Sequence, residues 1–390
     1  MDKKPIIFVI LSRVPLPLDK GDKLRAYHQI KALAKENEVH LTCLADRRLS
    51  ATEKTDLAAL AHKVTVYRLQ KWVQYWQLFL AIFSTKPFQV HYFYQRKIAT
   101  SISKQIDQLE PDYIYCQLIR VSEYVKDIHH IPKTIDYMDA LSVGMMRQAS
   151  INSGVKRYVM KLEGERLKRY ENRIFDYFNH HTIISEQDKQ LISHTANYSI
   201  KVVPNGIDDS FLSYNKPVEK VYDLVFVGNL NYAPNVDSCM FIIDELLPAL
   251  QKTKPDVRIL LAGTNPNDKI IEKAKYRPNI TISGWVDDIR ACYLSSEICI
   301  APLFIGTGLQ NKLLESMALG VPCITTSLAN NALKAKPNSE ILIANTLQDY
   351  EQLISKLLKD KELYQTISQN GKSFVKSHFN WESSVASIPF

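Results

Sequence analysis

The chain has 390 residues, 46% of them hydrophobic, and carries a net charge of +8 from 49 basic and 41 acidic side chains. That length and apolar content fit two globular domains, while the lack of any run of about 18 apolar residues excludes a helical membrane span. The positive balance suits an anionic partner such as a nucleotide or a phospholipid head group, or is simply that of a basic soluble enzyme; without zinc-finger spacing or an aromatic RNA-binding signature, no nucleic-acid partner is expected.

"PIIFVIL" (5–11) is a short, β-branched apolar run and predicts a buried parallel strand. The opening "KKPIIFVIL" is too short in its apolar run for a signal peptide, and the six scattered cysteines contain no CxxC pair. Both suggest reduced thiols and a cytoplasmic setting. After a proline-punctuated loop, "LRAYHQIKALAKENE" has apolar residues at helical spacing, with Gly21 and Asp22 just before it. These two are either an ordinary glycine turn with an Asp cap or an anion-facing helix start. "VHLTCLA" (39–45), "KVTVYRL" (63–69), "PDYIYCQL" (111–118) and "KTIDYMDAL" (133–141) each begin strand-like, and "HTIISEQDKQLI" (181–192) reads as a strand meeting a helix capped by Ser185. Strands alternating with helices predict a parallel α/β sheet.

Two segments of this first half stand apart. "KWVQYWQLFLAIF" (71–83) holds two tryptophans, a tyrosine and two phenylalanines. The favoured reading is a core helix, against an amphipathic segment lying in a bilayer interface. "VKRYVMKLEGERLKRYENR" (155–173) has seven Lys or Arg against three Glu, which suits a solvated face or an anionic lipid surface.

The strand–helix pattern restarts after "KVVPNGIDDSFLSYNKPVEK" (201–220), a polar stretch read as a linker. "YDLVFVG" (222–228) and "VRILLAG" (257–263) are strands ending in glycine, where backbone can approach a ligand closely. "ITISGW", "ICIAPL" and "VPCITT" follow as further strands. Between the last two lies "GTGLQNKLLESMALG", two glycines running into an apolar-periodic helix. Lys312 and Glu315 share one face of that helix. They are either a plain surface ion pair or a clamp, with the cation on a phosphate and the carboxylate on a ribose diol. The expected organisation is a first domain over 1–200, the linker, a second domain over 221–375 and a terminal segment over 376–390.

"KVVPNGIDDSFL", "FVGNLNYAPN", "SGWVDDIRACYLSSEICIAPLFIGTGLQNKLLESMALGVPCITT" and "FNW" together resemble retaining glycosyltransferases of family 4, nearest to bacterial exopolysaccharide sugar transferases. The resemblance implies a GT-B fold: two Rossmann-like, doubly wound parallel-sheet domains facing across a cleft. It implies transfer of a sugar, with retention and without a metal or other cofactor, from a nucleotide-sugar to a glycan or lipid-linked glycan in cell-surface polysaccharide synthesis. UDP-sugar is the expected donor and GDP-sugar the second choice. By the same resemblance Glu315 holds the donor ribose, and the donor site takes in Gly21, Asp22, Gly228, Asn229, Trp285, Val286, Gly306, Thr307, Gly308, Leu309, Gln310, Asn311 and Lys312. This chain departs from the family's pattern twice: Thr307 stands where the first paired Glu belongs, and the Arg and Lys expected after Gly228 are absent from "GNLNYAPN". Lys312, with the backbone N–H groups of 308–311, is then the expected phosphate contact. Trp285 is either a base reader or a core or rim aromatic. Asp139, then Asp136, are the candidates for acceptor contact and catalysis, with an ordinary turn or cap as the alternative. The terminal segment would return to the first domain through Trp381, and the domains would close on the donor; removing the segment would leave both cores folded. The enzyme would sit in the cytoplasm or on the inner face of an anionic membrane. A non-catalytic assembly subunit and a nucleotide-sugar epimerase are the alternative readings.

Overall fold

The computed structural model describes residues 4–305 and 308–390, with Ile151 as backbone alone. The chain forms two compact units, one running to Pro204 and completed by Trp381–Phe390, the other Asn205–Asn380.

The first unit is built on seven parallel strands: β1 (Ile6–Leu11), β2 (Glu38–Ala45), β3 (Lys63–Arg68), β4 (Tyr113–Gln117), β5 (Lys133–Asp136), β6 (His180–Ile183) and β7 (Lys201–Val202). Their order in the sheet is β3-β2-β1-β4-β5-β6-β7. The doubly wound order reverses direction between β1 and β4, the place where such sheets open a crevice at their carboxyl ends. β1 is buried throughout because helices cover both faces. Its residues alternate between two cores: Ile7, Val9 and Leu11 join one, Phe8 and Ile10 the other. The Gly21–Glu36 helix follows β1 and buries Arg25, Ala26, His28, Gln29, Ile30 and Leu33. Ser185 caps the Glu186–Leu191 helix by accepting from the Asp188 N–H at 3.1 Å.

The second unit repeats the plan with β8 (Tyr222–Val227), β9 (Ile259–Ala262), β10 (Ile280–Gly284), β11 (Ser296–Ala301), β12 (Cys323–Thr325) and β13 (Leu342–Ile343), in the order β10-β9-β8-β11-β12-β13. Leu224 and Phe226 face one core and Val225 and Val227 the other. All six cysteines are free and buried.

Three expectations are corrected. The stretch 201–220 is not a free linker throughout: Lys201 and Val202 pair with β6, and Asn205 onward belongs to the second unit. The terminal segment is part of a core. Trp381, Val385 and Ile388 are buried with the first unit's apolar cluster, and the Trp381 ring stacks on His28 at 4.9 Å. Truncation would therefore damage that core. Third, the Lys71–Ile82 helix is not a core helix, since it turns its aromatic side chains outward and buries only Gln74 and Ala81.

Candidate functional site

In the second unit the chemistry gathers where β8 ends, beside β11 at the reversal of strand order. β8 delivers Gly228, and the Ala233–Phe241 helix follows almost at once, started by Pro234 in its first turn. Asn235 projects back from that first turn. Its side-chain amide donates to the Asn229 carbonyl at 2.9 Å, and its Oδ1 accepts from Lys312 Nζ at 2.7 Å. A Cβ on Gly228 would lie 2.7 Å from Asn235 Nδ2 and 3.2 Å from Lys312 Nζ, so any larger residue would push these two side chains from where they now meet over the strand end. Gly263, at the end of β9, has φ +143°, and a Cβ there would strike the Gly228 carbonyl oxygen at 1.7 Å.

Lys312 reaches this point from the Asn311–Ala318 helix. It is buried, and its ammonium stands 4.1 Å from the centre of the Phe226 ring. Burial pushes its pKa down to about 8, against the opposing pull of Cys239, Cys299 and Glu315. Glu315, one turn on and half-buried, accepts from the Tyr293 hydroxyl at 2.8 Å. Burial raises its pKa, while that hydrogen bond and Lys312 lower it. The two residues are thus not an exposed ion pair. Each is held by its own partner; Lys312 comes to the end of β8, and Glu315 lies one turn further along the same helix.

The other expected donor contacts fall around this pair. Asn229 turns its own side chain into the loop, accepting from the Asn231 N–H at 3.0 Å. Gly308 has φ +91°. Gln310 donates to the Gly308 carbonyl at 3.2 Å, and Leu309 packs on the second unit's core. Asn311 begins the helix and accepts from Asn205 at 3.1 Å. The helix starts at Asn311 rather than at the glycines, and Gln310 gives it no side-chain cap. Gly284 ends β10 with φ +65°. Trp285 beside it is 70% exposed, so it is not a core residue, whereas Val286 packs inward. Gly306 and Thr307 lie outside the described residues. Asn235 and Tyr293, which hold the two central side chains, were not singled out from the sequence. The signal for Asn235 was its place in the first turn of a helix opened by proline, seven residues past the glycine.

In the first unit the two candidate aspartates part company. Asp136 ends β5 and is fully buried. Arg25 donates to it through Nε at 2.7 Å and Nη2 at 3.2 Å, Gln29 at 3.2 Å, Tyr115 at 2.9 Å and the Met138 N–H at 3.0 Å. Its pKa is held below the usual value by Arg25 and these hydrogen bonds, which outweigh the effect of burial. Asp136 is therefore a structural anchor and is withdrawn as a candidate for acceptor contact. Asp139 is different. It is half-buried, and its Oδ1 has no partner among the described residues. Burial first, and then Asp188, raise its pKa to about 7, with Arg120 opposing. A carboxyl group titrating near neutrality beside an arginine is suited to proton transfer. Asp22, at the start of the Gly21–Glu36 helix, pairs with Arg13 at 3.0 Å and lies 3.9 Å from Arg120. It acts within an ion network rather than as a cap. A Cβ on Gly21 would meet Met138 at an ordinary 3.5 Å, so glycine is not sterically required there. A cavity of about 280 Å³ opens past the ends of β1, β2 and β3, with Arg13, Lys20, Lys23 and Arg47 among its lining residues. Among the described residues one group could hold a metal ion: Glu38, His40 and His62, at the opposite, amino-terminal ends of β2 and β3.

Residues 221–360 match the family described as "Glycosyl transferases group 1". The chain is 27% identical over 139 residues, a third of its length, to the capsular polysaccharide biosynthesis glycosyltransferase CapM of Staphylococcus aureus. Its matches span less than half the length of the curated relatives concerned. Among solved structures, a glycosyltransferase from Rickettsia africae superposes with a TM-score of 0.70 at 15% identity, covering 99% of this chain and 97% of the other. HepE of Anabaena, solved in complex with UDP, gives a TM-score of 0.67 at 15% identity, covering 98% and 97%. The fold is accordingly that of the GT-B glycosyltransferase structures, with two Rossmann-like parallel-sheet domains.

Proposed function

We propose that this protein is a retaining glycosyltransferase that moves a sugar from a nucleotide-sugar, by preference a UDP-sugar, to a glycan or lipid-linked glycan of the cell surface. The observation that carries the proposal is the arrangement at the end of β8, where Lys312 and Asn235 meet in close contact with Gly228, with Glu315 one turn away. The match of residues 221–360, the capsular relative and the UDP-bound structural neighbour support it.

In this reading the diphosphate of the donor takes the spare N–H donors of Lys312, and Glu315 accepts from the ribose hydroxyls. As the sugar–phosphate bond breaks, negative charge grows on the leaving diphosphate. A cation already buried and fixed stabilises that charge without reorganising. Lys312 does this in place of a metal, so transfer should survive chelation by EDTA. Contact with the acceptor would fall to the first unit; the raised pKa of Asp139 supports its taking a proton there, and the basic cavity suits an acceptor carrying phosphate.

The test is calorimetry with UDP, GDP and uridine. Glu315→Ala should weaken UDP and uridine alike by about 1.5–3 kcal/mol, the usual range for a hydrogen bond to a charged group. Lys312→Met should weaken UDP while sparing uridine. Equal losses of both ligands in Lys312→Met, or unchanged UDP affinity in Glu315→Ala with the fold intact, would overturn the assignment. A chain that binds UDP-sugar but neither transfers nor hydrolyses it would be an assembly subunit instead.

A further inference from the structure

The Lys71–Ile82 helix is built inside out. Its residues at positions 72, 75, 76, 79 and 83 follow the spacing of a single helix face. They are Trp72, Tyr75, Trp76, Phe79 and Phe83, the last just past the helix end. Such a stripe ordinarily turns into a core. Here Trp72 is 70% exposed, Trp76 55% and Phe83 78%, with Tyr75, Phe79, Leu80 and Ile82 exposed as well. The inward side holds Gln74 and Ala81, both buried, with Val73, Gln77 and Leu78 half-buried beside them. Gln74 is buried and its amide nitrogen has no partner among the described residues, while Gln77 lies 3.2 Å from the His91 ring. The outward rings are ordered among themselves, with Trp76 stacked on Phe79 and Phe79 meeting Phe83 edge-on, both pairs at 5.6 Å.

The charges around this stripe are mostly basic, although Lys86 is paired with Glu123 at 2.6 Å. Residues 71–86 contain two lysines and no acid. The carboxyl end of the helix is fastened to the long Gly154–Phe175 helix, where Arg166 donates to the Ala81 carbonyl at 2.7 Å. Glu163 of that helix is turned inward, accepting from the Phe88 and Gln89 N–H groups. Two and three turns before Arg166, on the same helix face, come Val159 and Val155, both exposed, as is Tyr158. Lys156, Arg157 and Lys161 are exposed among them, and no acidic residue precedes Glu163 in the helix.

We propose that this surface, the outward face of Lys71–Ile82 with the basic start of Gly154–Phe175, is a docking site for an anionic bilayer. Exposed aromatic rings in a row sink into the boundary between head groups and acyl chains, and flanking lysines and arginines meet lipid phosphates. The charge pattern selects this occupant. A second copy of the chain would bring like charges together around the same rings, whereas an anionic surface complements them. The proposal does not depend on the reaction catalysed.

The experiment is co-sedimentation of the full chain with vesicles of phosphatidylcholine alone or with 30% phosphatidylglycerol, in low and high salt. Trp76→Ser/Phe79→Ser tests the rings and Lys156→Glu/Arg157→Glu/Lys161→Glu tests the charges. All five side chains are exposed, so melting temperatures should not change. Binding should require phosphatidylglycerol and fall with salt, because exposed charges are screened over about 10 Å. Each variant should bind at least ten-fold more weakly. No binding by the native chain at low salt, or binding that neither variant weakens, overturns the proposal. So does a dimer, seen by sedimentation velocity, that Trp76→Ser/Phe79→Ser dissociates while vesicles are ignored.

Discussion

At the end of β5 in the first unit, Asp136 accepts five hydrogen bonds, two of them from the Arg25 guanidinium. At the end of β8 in the second, Lys312 has three N–H donors and gives one to Asn235, and Glu315 accepts one bond from Tyr293 among the described residues. Both places set a cation and a carboxylate at the carboxyl ends of a parallel sheet. The first has used its bonding capacity within the protein and the second has kept most of it back. A buried charge that is fully bonded supports the fold; one that is held by a single partner and still faces a strand end can take a ligand. Asp139, three residues past Asp136, falls on the second side of this division, with one carboxylate oxygen unpaired.

The strongest way to break the comparison is to remove Asp136. Asp136→Ala takes the carboxylate away from the Arg25 guanidinium, which is fully buried and also donates to the Val203 carbonyl at 2.8 Å. Uncompensated buried charges of this kind cost about 3–5 kcal/mol. Urea denaturation should show the first unit unfolding at much lower denaturant. A variant of native stability that had lost only its activity would show Asp136 to be catalytic and the division to be wrong.

Asp139 offers a smaller effect of the opposite sign. Its ordinary pKa is 3.8 and its pKa in the fold is about 7. Between those values the folded chain holds a proton that the unfolded chain has released, so stability falls as pH rises. The contribution is complete below about pH 4 and lost above about pH 7. Glu171, raised to about 7 by burial with a smaller push from Asp139, shares this window. Asp139→Asn should therefore flatten part of the decline and gain about 1–2 kcal/mol at pH 8. Transfer should slow while UDP affinity holds, and that split separates a proton-handling group from a structural one. A variant less stable at pH 8, with unchanged turnover, would return Asp139 to the class of turn residues.

Much of the architecture was legible because it rests on local pattern. β1 and β8 could be read from short β-branched runs, and β8 and β9 from the glycines that end them. Ser185 could be read as a cap from its spacing to Asp188. That Lys312 and Glu315 share a helix face could be read from their spacing of three. What escaped depends on contacts distant in sequence. Asp136 and Asp139 look alike in "IDYMDALS"; only the position of Arg25, 111 residues before Asp136, marks Asp136 as the anchor. Asn235 escaped because its importance lies in a bond to Lys312, 77 residues on. The helix at 71–82 was misread for another reason. Periodicity reveals that one face is apolar but not which way that face turns, and here Gln74 and Ala81, not the rings, are inside.

Trp285 carries the comparison to its finest scale, since it is a large apolar side chain that the fold does not use. The ring is 70% exposed beside Gly284, whose φ of +65° turns the chain away from β10. A side chain so placed contributes little to stability, and Trp285→Ala should leave the melting temperature within a degree or two. If the ring reads the donor base, the same change should weaken UDP by about 1 kcal/mol, the scale of a stacked aromatic pair. Uridine should be weakened equally, because the contact is to the base, while inorganic pyrophosphate should not respond. That pattern is the reverse of the one expected for Lys312→Met, so the two variants together separate the base and phosphate ends of one ligand. Loss of pyrophosphate affinity in Trp285→Ala would place the ring elsewhere, and loss of stability would mean that the loop, not the ligand, depends on it.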